Sequence, residues 1–239
     1  MSGIVFIISA PSGSGKSSLT NELRKIVPGL EFSISYTTRD PRGSEQTGRE
    51  YFFISRETFD QMIAADEFLE HAEVFGKCYG TARHFVNDAL ARGSDLVLDI
   101  DVQGAAQLKA KLPGAVSIFI LPPSRKELEA RLLRRNLSDH VDLAVIQRRL
   151  HEASHEIARF TDYDYILVND HFETAVEQLR AIVLAERIRR NRSPQSTEDR
   201  AILESADCCI RAKAMQRVQS ILDSFREATT DPSRSRELP

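Results

Sequence analysis

The sequence predicts an α/β protein in the doubly wound, three-layer α/β/α arrangement, with a mostly parallel central sheet. Three observations carry that expectation. Short, almost wholly apolar runs rich in β-branched residues recur at Ile4 to Ile8, Leu96 to Ile100, Val116 to Leu121 and Tyr165 to Val168, as expected of strands buried on both faces. Long segments of helical spacing separate the runs, and such alternation folds through right-handed crossovers. A glycine-bearing turn joins the first run directly to the first helix.

Taken in order, the first helix is expected from Lys16 to Ile26. It stops at Val27-Pro28-Gly29, because proline disfavours helical geometry in its predecessor and glycine suits a helix end. From about residue 34 to 93 the character changes. Thr37, Thr38, Arg39, Pro41, Arg42, Gly43 and Gly48 crowd together, which reads as an insertion that faces a ligand rather than the core. Ser124 with Glu127 three residues on opens a helix over Lys126 to Arg135 as a capping box. Val176, Leu179, Ile182 and Val183 form one stripe of a helix beginning near Thr174. After a Ser-Pro-Gln-Ser-Thr linker at 193–197, Leu203, Ala206, Ile210, Ala214, Val218, Ile221 and Phe225 keep helical spacing, so 193–239 reads as an extension made of one amphipathic helix. Its end, Thr230 to Pro239, is polar and expected to fray.

The 239 residues allow one main core. With 32 basic against 35 acidic residues the formal charge is −3, which argues against a broad coat for nucleic acid or an anionic membrane. No apolar run approaches the ~20 residues that span a bilayer. The three cysteines, Cys78, Cys208 and Cys209, form no C-x-x-C pair, so neither a disulfide framework nor a thiolate zinc site is suggested. A cytoplasmic protein with no nucleic-acid or membrane partner is the expectation; monomer or homo-oligomer is left open.

Ala10-Pro11-Ser12-Gly13-Ser14-Gly15-Lys16-Ser17 fits the phosphate-binding pattern G-x-x-x-x-G-K-[S/T] except for Ala10 in place of the first glycine. The strand before and the helix after are the required context. Glycines let backbone N–H groups turn inward on phosphate oxygens, and the helix N-terminus adds its positive dipole end. Lys16 reaches the β and γ phosphates, and the Ser17 hydroxyl can ligate Mg²⁺.

Further motifs narrow the class. Ser35-Tyr36-Thr37-Thr38-Arg39-Asp40-Pro41-Arg42, Glu45, Gly48, Tyr51-Phe52-Phe53, Glu70-His71-Ala72-Glu73, Tyr79-Gly80-Thr81 and Leu98-Asp99-Ile100-Asp101-Val102-Gln103-Gly104 follow one another in that order. Together they resemble the guanylate kinase family over roughly residues 1–192. The resemblance implies an enzyme that transfers phosphoryl reversibly from ATP to GMP with Mg²⁺, in purine nucleotide metabolism, taking dGMP as well. It also implies a GMP-binding insertion at about 34–93 and a mobile lid at about 134–149.

Several residue roles follow from the same resemblance. ATP would be held by Ala10, Pro11, Ser12, Gly13, Ser14, Gly15, Lys16, Ser17 and Ser18, with Asn169 near the adenine. GMP would be held by Ser35, Arg39, Arg42, Tyr51, Glu70, Tyr79, Thr81, Asp99 and Asp101. Lys16, Arg39, Arg135 and Arg149 would neutralise charge on the transferring group. Mg²⁺ would be held by Ser17, with Asp99 acting through water.

Residue chemistry supports the assignment. Arg39 and Arg42 with two tyrosine hydroxyls can surround a phosphate by charge-assisted bonds, and one carboxylate can accept both the N1–H and the exocyclic amine of guanine. The lid segment is about three residues longer than is usual in the family, so Arg148 competes with Arg149. Asp99 and Asp101 could exchange roles. Cys78 stands where tyrosine is common and reads as a small apolar filler.

His151-Glu152-Ala153-Ser154-His155 matches the zincin pattern H-E-x-x-H. So short a pattern arises by chance, and no third-ligand motif follows. Two other classes fit less well. A P-loop kinase of another small phosphorylated substrate has no reason to carry the Ser35 to Arg42 and Glu70 constellation. Non-catalytic protein-interaction modules of the guanylate kinase type tend to have degraded phosphate loops, whereas Lys16 and Ser17 are present.

Overall fold

The computed structural model describes residues 3–139, 143–191, 194 and 196–230. In chain order the first elements are β1 (Val5–Ser9), α1 (Lys16–Ile26), β2 (Leu30–Phe32), β3 (Tyr36–Thr37), β4 (Phe52–Phe53), α2 (Arg56–Ala64), β5 (Phe68–Val74), β6 (Lys77–Ala82) and α3 (Arg83–Arg92). There follow β7 (Asp95–Asp99), α4 (Val102–Lys111), β8 (Val116–Leu121), α5 (Arg125–Asp139), α6 (Leu143–Ala158), β9 (Tyr165–Val168), α7 (Phe172–Arg190), α8 (Thr197–Asp207) and α9 (Arg211–Thr230). Two compact units divide these elements: residues 1–9 with 20–117, and residues 10–19 with 118–239.

In the first unit β7 pairs in parallel with β1, Val5 opposite Leu96 through Ile8 opposite Asp99, and with β2 on its other side. Phe6, Ile7, Ile8, Val97 and Leu98 are fully buried, which is why these runs are apolar on both faces. The α/β expectation is met by this parallel pairing, though β2 is too short to have signalled itself. The insertion forms its own four-stranded sheet in the order β4-β3-β6-β5. Its β5–β6 hairpin turns on Phe75 and Gly76, both with positive φ (51° and 75°), between paired Val74 and Lys77. That two-residue turn suits the right-handed twist of its strands. Phe59, Met62, Phe68 and Cys78 form the small core beneath, so Cys78 is packing material.

In the second unit β8 and β9 pair in parallel, Ile118 opposite Tyr165 through Leu121 opposite Val168. Val176, Leu179, Ile182 and Val183 of α7 are buried as their spacing predicts. The Ser124 hydroxyl accepts from Glu127 N at 3.1 Å to open α5. The boundary expected at 192/193 lies outside the described residues, as does the end expected to fray from Thr230 to Pro239, apart from Thr230, whose backbone closes the last helix, α9.

The extension departs from the expectation of a single helix. Two helices are present, α8 and α9, separated at Cys208-Cys209-Ile210. There α8 ends in a turn at Cys208 and Cys209, and Ile210 bridges Tyr165 of β9 in antiparallel fashion. Ala206, Cys209, Ala214, Val218, Leu222 and Phe225 are buried. Among the described residues no helix is long and apolar enough to cross a membrane.

Candidate active site

The phosphate loop lies in the second unit. Ser14 N donates to Pro11 O at 3.1 Å, and Leu19 N donates to Gly15 O at 3.1 Å as α1 begins. Gly13 and Gly15 hold φ of 90° and 89°, a region that only glycine occupies cheaply. Ala10 is absent from the positive-φ residues, so the missing first glycine costs the turn no strained residue. Space is as tight as conformation. A Cβ on Gly15 would sit 2.2 Å from Asn169 Nδ2, and one on Gly13 would sit 2.9 Å from Leu132 Cδ2 and 3.1 Å from Leu128 Cδ1 of α5.

Asn169 ends β9 and ties the loop in place. Its Nδ2 donates to Ser14 O at 2.7 Å, a buried bond across 155 residues of sequence. Its own carbonyl accepts from Arg131 Nη2 at 3.0 Å. Lys16 stands at the start of α1 with Ser17 and Ser18 exposed beside it. That places a cation, a hydroxyl and a helix N-terminus at one end of the loop, the set a polyphosphate requires.

The residues expected to hold the acceptor lie in the first unit. Arg39 is nearly buried (9% exposed), and Glu45 receives Arg39 Nη1 at 2.7 Å and Nη2 at 3.1 Å. Burial, the largest single influence, would weaken the Arg39 charge, but the hydrogen bond and charge of Glu45 together with Tyr79 outweigh it, and the guanidinium holds its proton more tightly than usual. In turn the Arg39 bond holds Glu45 below the ordinary carboxylate range. Glu45 Oε2 also accepts from Arg42 N at 2.8 Å, and Glu45 N closes the turn onto Arg42 O at 3.0 Å. Gly43 supplies the positive φ (55°) of that turn, so Ser44 beside it need not. The Tyr51 ring lies 5.1 Å from Arg39 Cζ and 6.0 Å from the Tyr79 ring. Arg42 is exposed at the rim.

Glu70 is the most perturbed acid of the set. It is 3% exposed, and its Oε1 accepts from Thr81 Oγ1 at 2.5 Å. Burial raises its pKa to about 7, against the Thr81 hydrogen bond and the more distant Lys111 ammonium, and Asp101 pushes the same way as burial. Asp101 caps α4, accepting from Gly104 N at 2.7 Å. A Cβ on Gly104 would lie 2.4 Å from Glu70 Oε2 and 3.5 Å from Asp101 Oδ1. Asp101 therefore groups with Glu70, whereas Asp99 lies 3.5 Å from Thr20 Oγ1 of α1. Ser35 is buried in the same unit.

The residues expected to form a lid fall only partly among the described ones. Arg135 lies on α5, its side chain outside the described residues. On α6, Arg148 is exposed and paired with Glu152 at 3.0 Å, while Arg149 is half-buried. His151 and His155 share one exposed face of α6 with Nε2 atoms 3.1 Å apart. Among the described residues no third histidine, cysteine or carboxylate completes a metal set with them.

Two residues that bond to the candidate site carry no role expected from the sequence. Glu45 is the partner of Arg39, and its position three after Arg42 in a glycine turn was the available signal. Gln107 is the other. Its Nε2 donates to His71 O at 2.8 Å and its Oε1 accepts from His71 N at 3.3 Å, so α4 grips the backbone beside Glu70. Lys111 Nζ adds a bond to Leu69 O. Gly104, Gln107 and Lys111 fall at i, i+3 and i+7, one face of a helix.

Known proteins resemble this chain over most of its length. The family model described as guanylate kinase matches residues 3–186, ending before α8. A guanylate kinase of Koribacter versatilis is 79% identical over 232 residues, 97% of this chain and 99% of that protein. One of Geobacter sulfurreducens is 50% identical over 190 residues, 80% and 92% of the two chains. One of Escherichia coli O157:H7 is 49% identical over 195 residues, 81% and 93%. The crystal structure of guanylate kinase from Anaplasma phagocytophilum superposes with a TM-score of 0.65 at 32% identity, covering 86% of this chain and 96% of that one.

Proposed function

The chain belongs to the guanylate kinase family and is an ATP:GMP phosphotransferase, and from that premise we propose how its residues divide the work. ATP binds at residues 10–18, where Lys16 and the N-terminus of α1 meet its phosphates and Asn169 keeps the loop shaped. Mg²⁺ suits the Ser17 hydroxyl, a hard oxygen donor open to solvent that would hold the ion, and Asp99 keeps only the role toward its water that the family resemblance implies. When bound, the ion would supply positive charge to offset that of the phosphates, with the Ser17 hydroxyl among the groups that would hold it. GMP, or dGMP, docks on the insertion, with Arg39, Arg42, Tyr51 and Tyr79 around its phosphate. Glu70, backed by Thr81, Asp101 and Ser35, accepts the two donors of the guanine edge.

Transfer needs positioning and charge neutralisation rather than a covalent intermediate, because a phosphate oxygen of low pKa needs no strong general base. Arg135 and Arg149 would add charge from the lid, and lid closure would exclude water that otherwise hydrolyses ATP. The domain runs over 1–192, with the acceptor insertion at 34–93 and the lid at 134–149; residues 193–239 are an extension. We assign the reaction to purine nucleotide metabolism in the cytoplasm.

The buried Glu70 carboxylate carries the acceptor assignment, since an adenine edge offers no matching pair of donors. Turnover with ATP and Mg²⁺ across GMP, dGMP, AMP, CMP and UMP, followed by coupled ADP release, is expected to show GMP and dGMP preferred. Lys16→Ala retaining normal turnover would overturn the donor side of the reading.

A further inference from the structure

The extension touches the two elements that hold the phosphate loop. Its interhelical link pairs with β9: Ile166 N donates to Cys209 O at 2.7 Å, and Arg211 N donates to Asp164 O at 2.9 Å. Side chains reinforce the same strand. Tyr165 OH bonds Glu186 and Arg189, and Arg189 Nη2 reaches Asp207 Oδ1 of α8 at 2.6 Å. Three residues after Ile166, that strand delivers the Asn169 amide to Ser14 O.

The second grip is on α5. Ser224 Oγ of α9 accepts from Arg125 N at 3.2 Å, satisfying one of the donors that a helix start leaves open. Leu128 and Leu132 of the same helix press on Gly13, and its Arg131 holds the Asn169 carbonyl. Both routes from the extension thus end at the loop, within one unit of the molecule.

We propose that the α8–α9 extension is a positioning element for the donor nucleotide: it sets β9 and α5, and through Asn169, Leu128 and Leu132 it sets the phosphate loop. This rests on the assignment of ATP to that loop, which the intact enzyme tests separately by its ATP-dependent turnover. Packing that served stability alone would have no reason to affect one substrate more than the other.

The test compares KM for ATP, KM for GMP, kcat and Tm. A chain ending at Asn191 is expected to raise KM for ATP at least fivefold and leave KM for GMP within twofold. Because removing two packed helices can prevent folding, a full-length variant decides the matter independently. Arg211→Pro with Ser224→Ala deletes the hydrogen bonds to Asp164 and Arg125. Proline is accepted at the first position of α9, and Ile210 before it is already in a β-bridge. Arg211→Ala, which keeps the N–H, controls for removal of the side-chain bond to Thr161 O. A two- to fivefold rise in KM for ATP in the double variant, absent from the control and from KM for GMP, supports the proposal. Unchanged KM for ATP in the double variant overturns it, as does an equal rise in both KM values alongside a fall in Tm.

Discussion

Glu70→Gln isolates base recognition from folding. The substitution keeps the volume of a side chain that is 3% exposed and leaves an oxygen to accept the Thr81 hydroxyl. It removes the charge and turns one acceptor into a donor facing a donor on the guanine edge. Hydrogen bonds to a charged group are worth about 1.5–3 kcal/mol each, and an unpaired donor costs about 1–3 kcal/mol more. With one hydrogen bond to guanine broken and the other weakened, the GMP transition state should be destabilised by about 3–4 kcal/mol, roughly two to three orders of magnitude in kcat/KM. Stability should not fall with it. Burial disfavours the Glu70 carboxylate in the fold, so at pH 8 the neutral amide should leave Tm unchanged or higher. Coupled ADP release with GMP, IMP and AMP reads the outcome. IMP keeps N1–H but lacks the 2-amino group, so its gap from GMP should shrink in the variant. If Glu70→Gln kept the wild-type ratio of GMP to AMP turnover, the carboxylate would not be the base-reading group.

Three further outcomes follow from the same geometry. Because the folded pKa of Glu70 is raised from 4.5 to about 7, its contribution to stability is present below its unfolded value and lost as pH rises through about 7, while KM for GMP should fall over that upper range and stay flat in Glu70→Gln. Gly104→Ala puts a methyl group 2.4 Å from Glu70 Oε2; KM for GMP should rise at least tenfold and KM for ATP stay within twofold, with about 1–3 kcal/mol of overpacking read as lowered Tm. Gly15→Ala, at φ 89° and 2.2 Å from Asn169 Nδ2, should do the reverse and damage KM for ATP, as measured by initial rates at saturating GMP.

What the sequence made legible was what depends on neighbours in the chain. The phosphate loop announces itself because its glycines, lysine and serine act within eight residues. Helix α1 and strands β8 and β9 fall at their expected bounds because burial on both faces writes apolar runs directly. The motif around Glu70 was legible as a resemblance, yet its neighbour Gln107 was not. A glutamine that bonds a backbone 36 residues away leaves only a shared helix face as its trace. The break between α8 and α9 was also hidden. Leu203 through Phe225 keep helical spacing across it, and Cys208-Cys209-Ile210 contains no glycine or proline. The backbone of β9 needs partners along its outer edge there, and that tertiary demand outweighs local helical preference.

The Arg39–Glu45 pair gives the proposed acceptor pocket an internal counter-ion. An empty phosphate site lined by bare cations would collect any small anion in the cell, and ambient phosphate would compete with the nucleotide. Here the nearly buried Arg39 is already paired with a carboxylate of its own loop, held ionised by that same bond. Arrival of a nucleotide phosphate is then an ion exchange, in which the guanidinium trades or shares one anion for another. Because Glu45 stays in the loop, the Arg39 charge is shared between two anions and brings less advantage than a bare cation would, so the guanine edge must supply the rest. The pocket should accordingly be indifferent to inorganic phosphate at concentrations where GMP saturates it, and its affinity should depend weakly on ionic strength.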